Sequence, residues 1–324
     1  MMQDGRETGG PHETRGPSAA VHDVVCLGIL VADVIARPVD AFPEPGTLAL
    51  VDSIALRGGG CALNTSSALA KLGLRAAALG KVGTDPFGDY VLGLLADRAV
   101  ADGGIVRDGS VPTSASVALV DAAGERTFLH VKGASAALRA DELGEAPFAG
   151  RALHVAGALV LDELDGEPVA ELLAEARRRG LGTSLDTVFD ASGRWKRVLP
   201  ALPHCDLVTP GLEEARAITG ERDPARAAER LHELGASVAA VTGGADGCWL
   251  SGLGHVPGYS VDAIDGTGAG DAFAAGFLYA RLAGRPPEWC ARFANAAGAL
   301  ATTEVGAFEG VGDLASTLRL AGLG

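Results

Sequence analysis

The 324-residue chain is 48% hydrophobic, enough for a large core, and its length allows one big α/β domain or two smaller ones. Its 41 acidic against 27 basic residues give a formal charge of −14, which argues against nucleic acid or an anionic membrane as the main partner. The five cysteines (Cys26, Cys61, Cys205, Cys248, Cys290) form no C-x-x-C pair and no zinc spacing with histidine. An odd count without an export signal points to small core residues in a reducing cytoplasm.

Residues 1–20 are polar, carry glycine, proline and both charge signs, and lack an apolar h-region. The expectation is a disordered tail, neither signal peptide nor membrane anchor. Asn64-Thr65-Ser66 matches a glycosylation sequon and is read as chance. The apolar run 24–30, followed by Asp33, predicts a buried strand ending at an acid. Residues 37–56 are rich in proline and glycine at first, then alternate. Residues 63–72 have helical spacing closed by Gly73, residues 75–82 read as a strand, and 86–98 as a helix with Pro86 in its first turn. Residues 114–120 and 127–131 alternate on either side of a polar turn and predict a hairpin. Their alternation differs from the continuous apolar strands elsewhere, so a small β-sheet should stand off the main body.

From 153 onward the pattern becomes strand and helix in turn. Strands are predicted at 153–160, 182–186, 206–209 and 238–242, and helices at 167–179, 211–219, 224–234, 268–282 and 287–303. Such alternation builds a parallel sheet covered on both faces.

The stretch Ile264-Asp265-Gly266-Thr267-Gly268-Ala269-Gly270-Asp271-Ala272-Phe273 carries the most chemistry. A glycine loop running into an apolar helix brings free N–H groups and the positive end of the helix dipole to one point. Asp271 stands at that point. An anion cradle with a carboxylate beside it suits phosphoryl transfer to a hydroxyl. The alternative for Asp271 is an acid that merely stabilises the dipole. The chain has neither G-x-x-x-x-G-K-[ST] nor G-x-G-x-x-G, and Gly80-Lys81-Val82-Gly83 has the wrong spacing for a P-loop.

The string Asp265 to Gly276 resembles the C-terminal signature of the ribokinase-like (PfkB) carbohydrate kinases. Gly58-Gly59-Gly60-Cys61-Ala62-Leu63-Asn64, Leu69-Ala70-Lys71-Leu72-Gly73 and Gly80 to Gly88 resemble the N-terminal one. The resemblance covers roughly residues 22–310 and implies a three-layer α/β/α sandwich, with a mostly parallel central sheet and a β-sheet lid from about 37–56 and 114–132 within a domain at 21–324. It implies an ATP-dependent sugar kinase with Asp271 as catalytic base and the N–H groups of Gly268, Ala269 and Gly270 around the transferring phosphoryl group. Asp33, Gly59, Gly60 and Asn64 then bind sugar hydroxyls, although Asn64 also suits an N-cap and Asp33 a strand-end turn.

By the same resemblance Thr242, Gly243, Gly244 and Gly247 form the nucleotide loop, and Asn295 lies beside the adenine. Glu214 binds Mg2+ through water, with Gly211 where the family has an asparagine. Asp265 and the Val305-Gly306 turn match a monovalent-cation site, for which K+ is the ion. Asp186 and Arg194 remain of a D-x-N-x-R-like segment. His130 and Lys132 end the hairpin strand, which would place them at a lid edge close to the sugar; the favoured reading is a solvated strand end. The rivals are a nucleoside or phosphosugar kinase of the same fold and a non-catalytic sugar sensor. The expected partners are sugar, ATP and a second copy of the chain through the lid, with no nucleic acid and no membrane.

Overall fold

The computed structural model describes residues 21–324, so the tail expected at 1–20 lies outside the described residues. The central sheet has the strand order Leu207–Val208, Gly182–Thr187, Gly150–Ala158, His22–Gly28 and Ala76–Leu79, every pairing parallel. Single parallel bridges, Val208 to Ala239 and Gly211 to Thr242, attach an antiparallel sheet of Ala240–Thr242, Gly247–Leu250 and Gly254–Pro257.

The continuous apolar strands follow from burial on two faces. Along His22–Gly28, Val24 and Cys26 enter one core with the helices Cys61–Lys71, Ala269–Leu282 and Pro287–Ala301. Val25 and Leu27 enter another, with Glu167–Arg178, Leu212–Thr219 and Pro224–Glu233. The result is the three-layer sandwich that the alternation implied.

A four-stranded sheet stands apart, in the order Ser53–Gly59, Val31–Arg37, Ser114–Val120, Arg126–Val131. Its middle pairing is parallel and its outer two antiparallel. One face carries Asp33, Arg57, Ser116 and His130 in a single row of register; the next row over carries Val34, Leu56, Val117 and Leu129 on the opposite face.

The elements differ from the sequence expectation at several points. The first strand stops at Gly28, whose added Cβ would lie 1.8 Å from the Ala156 carbonyl oxygen, and the chain turns there. Asp33 therefore sits inside the second strand, opposite Arg57 and Ser116, not at the end of the first. The run 75–82 divides at Gly80, packed on the Gly28 carbonyl: Ala76–Leu79 stays in the central sheet, and Lys81–Gly83 pairs with Val106–Asp108. Lys81 is buried against Asp108 and Glu142, a structural ion pair and not a phosphate ligand.

The hairpin Gly247–Leu250 and Gly254–Pro257 and the helix Leu314–Ala321 went unpredicted. Both carry local signals. Gly252 and Gly254 take positive φ at the turn, and Asp313 caps the helix by accepting from the Ser316 N–H. Four cysteines are buried and Cys61 is half-buried. Among the described residues no helix is long and apolar enough to cross a membrane.

Candidate active site

The helix Ala269–Leu282 begins at Gly268, which holds φ +77° as its N-cap. An alanine there would set its Cβ 2.7 Å from the Ala307 carbonyl oxygen. Gly266 and Gly270 are different. Neither has a positive φ, and a Cβ on either would meet nothing within 4 Å. The fold does not require glycine at those two positions, which leaves the outer side of the loop bare.

Asp271 lies in the first helical turn and is 7% exposed. The Asn64 Nδ2 donates to its Oδ2 at 2.8 Å. Asn64 is not an N-cap. Gly60 caps the helix Cys61–Lys71 and Asn64 sits one turn inside it, aimed across at Asp271. Its Oδ1 has no hydrogen-bond partner among the described residues. A buried acceptor left open in this way favours a ligand donor.

Gly60 needs its φ of +91°, because a side chain would strike the Ile29 carbonyl oxygen at 2.5 Å. Gly59 is required by Asp33: a Cβ would lie 2.2 Å from Asp33 Oδ2. The two residues are thus one device, a carboxylate packed over a bare backbone.

Burial pushes the Asp271 carboxyl up to about 6, against the Asn64 hydrogen bond and the nearby Cys61 and Thr65 side chains, and the charge of Glu214 raises it further. Burial also lifts Asp186 well above the carboxylate range, reinforced by Asp271 and Glu214, although the Thr209 hydroxyl donates to it at 3.2 Å. Glu214 is raised by burial too; its Oε2 accepts from the Thr187 hydroxyl at 2.6 Å and from the Gly211 N–H at 2.9 Å. Glu214 folds back on the N–H of Gly211 and so caps its own helix.

The ligand atoms of Cys61, Asp186 and Asp271 lie within 4.8 Å of one another. Burial and the charge of Asp271 push the Cys61 thiol up, which leaves the oxygens as the useful donors. Buried carboxylates that raise one another form a set that a hard divalent cation such as Mg2+ fits.

A cavity of about 770 Å³ opens between the four-stranded sheet and this helix start. Asp33, Gly60, Asn64, Gly268 and Asp271 line it, together with Ser116, His130, Lys132, Phe128 and Phe189. Burial raises the Asp33 carboxyl, opposed by the Ser116 hydroxyl and by His130 and Arg126. The Ser116 hydroxyl lies 3.0 Å from His130 Nδ1. His130 and Lys132 therefore line the cavity while remaining solvent-exposed at the strand end. Lys132 is held by both oxygens of Asp162 at 3.1 Å. Arg194 also pairs with Asp162, so it closes a surface turn.

The segment Thr242–Gly247 lies outside this cavity lining. The Thr242 N–H donates to the Pro210 carbonyl, which ties the segment to the Gly211–Glu214 turn. Gly243 packs on Trp249, and Gly247 at φ +93° would strike the Val256 carbonyl oxygen at 2.3 Å. Gly244 faces open space. Asn295 is buried and donates to the carbonyls of Val256 and Pro257, at 3.0 and 3.1 Å, so it anchors the hairpin beside that segment.

Sequence reasoning did not single out Arg126, Phe128, Ser116 or Phe189. The first three could have been found from the register of the hairpin, since residues 116, 126, 128, 130 and 132 alternate onto one face.

The frame, the detached sheet and the buried acid at a glycine-rich helix start define a phosphotransferase of ribokinase-like fold. A model of the pfkB family carbohydrate kinases matches residues 21–311. A fructokinase from Vibrio alginolyticus is 29% identical over 303 residues, 88% of this chain and 96% of that protein. The structure of Arabidopsis thaliana ribokinase complexed with ribose and ATP superposes with a TM-score of 0.81 at 23% identity, covering 93% of this chain and 98% of that one. A double mutant of the fructokinase of Vibrio cholerae O395, in a form with fructose, ADP and potassium ion bound, gives a TM-score of 0.76 at 25% identity, covering 92% and 98%. The chain belongs to the PfkB family of carbohydrate kinases, phosphotransferases with an alcohol group as acceptor.

Proposed function

We propose that the chain transfers the γ-phosphoryl group of ATP to a hydroxyl of a small sugar or polyol, with Asp271 as the base. The observation that carries this reading is Asp271, buried at the floor of the cavity and aligned by Asn64. The acceptor hydroxyls are matched by Asp33 and by the open Oδ1 of Asn64. The reacting hydroxyl gives its proton to the Asp271 carboxylate as its oxygen bonds to phosphorus, and the bond to the ADP oxygen breaks. The N–H groups of Gly268 and Gly270 face the charge on the transferring group, whereas that of Ala269 donates to the Gly266 carbonyl at 3.3 Å. The bare loop positions Gly266 and Gly270 support a phosphate there, and Thr242 to Gly247 with Asn295 form the nucleotide side.

Asp186 and Asp271, with Glu214 through water, would hold Mg2+, which when bound neutralises phosphate charge. We read residues 21–324 as one kinase domain, with a lid that begins at Val31, earlier than the expected 37–56, and takes its other strands from 53–59 and 114–132. Closure of the lid would exclude water that could otherwise take the phosphoryl group. The outer face of the lid sheet exposes Ile54, Val117, Leu129 and Val131, an apolar patch that supports a second copy of the chain covering it.

Phe128 and Phe189, both more than half exposed, line the cavity and favour a nucleoside as the second reading. Against a phosphosugar, Lys132 is the one Lys or Arg lining the cavity among the described residues, and Asp162 already holds it. ADP release measured with fructose, ribose, adenosine and fructose 1-phosphate decides among these. Turnover on a neutral sugar is expected; none on any acceptor would sink the kinase reading.

The pH profile follows from Asp271. Its carboxyl must be ionised to accept a proton, so kcat should fall as pH drops through about 6. A profile flat down to pH ~4, the range of an unshifted carboxyl, would rule Asp271 out as the base.

A further inference from the structure

The strand Arg126–Val131 puts Arg126 on the cavity side of the lid, in line with Phe128 and His130. Its guanidinium crosses to the loop ahead of the catalytic helix. There its Nη2 lies 2.6 Å from Asp265 Oδ1, and its Nη1 donates to the Thr267 hydroxyl. The Asp265 side chain is 4% exposed. Asp265 Oδ1 also accepts from the Thr267 N–H at 2.9 Å and from the Thr267 hydroxyl at 2.7 Å, while Oδ2 accepts from the Gly306 N–H at 2.9 Å. Burial alone would raise this carboxyl, but these hydrogen bonds and Arg126 hold it at about 2.

Asp265 was expected to help bind a monovalent cation. The residues present do not fit one. A cation needs carboxylate oxygens with lone pairs to offer, and here Oδ1 already takes three donors, from Arg126 and Thr267, and Oδ2 takes the Gly306 N–H. The positive charge it calls for is already present, covalently carried by the lid. A free cation would have to displace a guanidinium held at two points.

We propose that Arg126 is the built-in counter-charge of Asp265, so that nucleotide binding by this chain does not require a monovalent cation. The same contact makes Arg126 a positioning residue. It ties the lid to the loop whose next residues are Gly268 and Asp271, so removing it loosens the phosphate side as well as the lid. The nucleotide part of the inference rests on the kinase reading; the ion pair itself does not.

The test compares wild type, Arg126→Ala and Arg126→Lys in KCl and in choline chloride of equal ionic strength. Two quantities are read: the ATP dissociation constant by calorimetry and the thermal unfolding midpoint. Wild type and Arg126→Lys should be alike in both salts. Arg126→Ala should bind ATP at least about fivefold more weakly in choline chloride, the low end of ordinary coupling between sites, and KCl should restore it. Its unfolding midpoint should drop in choline chloride and recover in KCl. The proposal is overturned if KCl tightens ATP binding to wild type about fivefold or more, or if Arg126→Ala is not restored by KCl. Should wild type bind no ATP in either salt, the kinase reading fails, and the recovery or non-recovery of the midpoint still decides the ion pair.

Discussion

Exchange of Asp271 for asparagine should lower kcat by about 10²–10⁴-fold while the ATP dissociation constant stays within about threefold of wild type. The substitution keeps the shape of the side chain and removes its ability to take a proton. Asp186 and Glu214 remain to hold Mg2+ and the asparagine oxygen can still face it, so ground-state ATP binding has little to lose. A dead sensor would show the opposite pattern, with no turnover to lose in wild type. Stability should move the other way. The Asp271 carboxyl sits at about 6 in the folded chain against an ordinary 3.8, so the folded state binds its proton more tightly than the unfolded chain does. Ionising it therefore costs stability, in full above pH ~6 and not at all below ~3.8. At pH 8 the asparagine variant escapes that cost, up to about 3 kcal/mol for a shift of this size, and its unfolding midpoint should rise. A variant that keeps wild-type turnover, measured by ADP release, would remove Asp271 from the chemistry.

That opposition of activity and stability is also why the site was legible before the fold was known. A chain selected for stability alone would not bury Asp186, Asp271 and Glu214 near one another, and it would not leave Gly266 and Gly270 bare. Motifs of small residues ending in an acid show this conflict in one dimension. The parallel sheet was equally readable, because strands buried on both faces appear as unbroken apolar runs.

What was not readable depended on contacts between distant segments. The turn at Gly28 needs the Ala156 carbonyl beside it, so the first strand was drawn too long and Asp33 was assigned to the wrong sheet. Asn64 also suited a cap in the sequence, but Gly60 takes that place and leaves the amide free for Asp271. Arg126 was invisible because its meaning lies wholly in its partner, 139 residues away at Asp265 (126 to 265). A hairpin pattern tells which side chains share a face; it does not tell what stands opposite.

Gly268 and Gly270, two residues apart, should respond in opposite ways to alanine. At Gly268 the left-handed φ of +77° costs about 1–2 kcal/mol for a residue with a Cβ, and that Cβ would press on the Ala307 carbonyl oxygen at 2.7 Å. The helix start has to shift, carrying Asp271 with it. Displacement of a reacting group by about 1 Å can cost some 10²-fold in rate, so Gly268→Ala should lose both stability and about that much kcat. At Gly270 the chain is already helical and the surroundings are empty, so alanine should stabilise the fold by about 0.5–1 kcal/mol. If the phosphate passes over this turn, the new methyl group intrudes on it alone, and ATP binding or kcat should fall although the protein melts later. A Gly270→Ala variant that melts later with unchanged kinetics would show that the bare turn is not where the phosphate sits, and the anion loop would have to be sought at Gly243 and Gly244 instead.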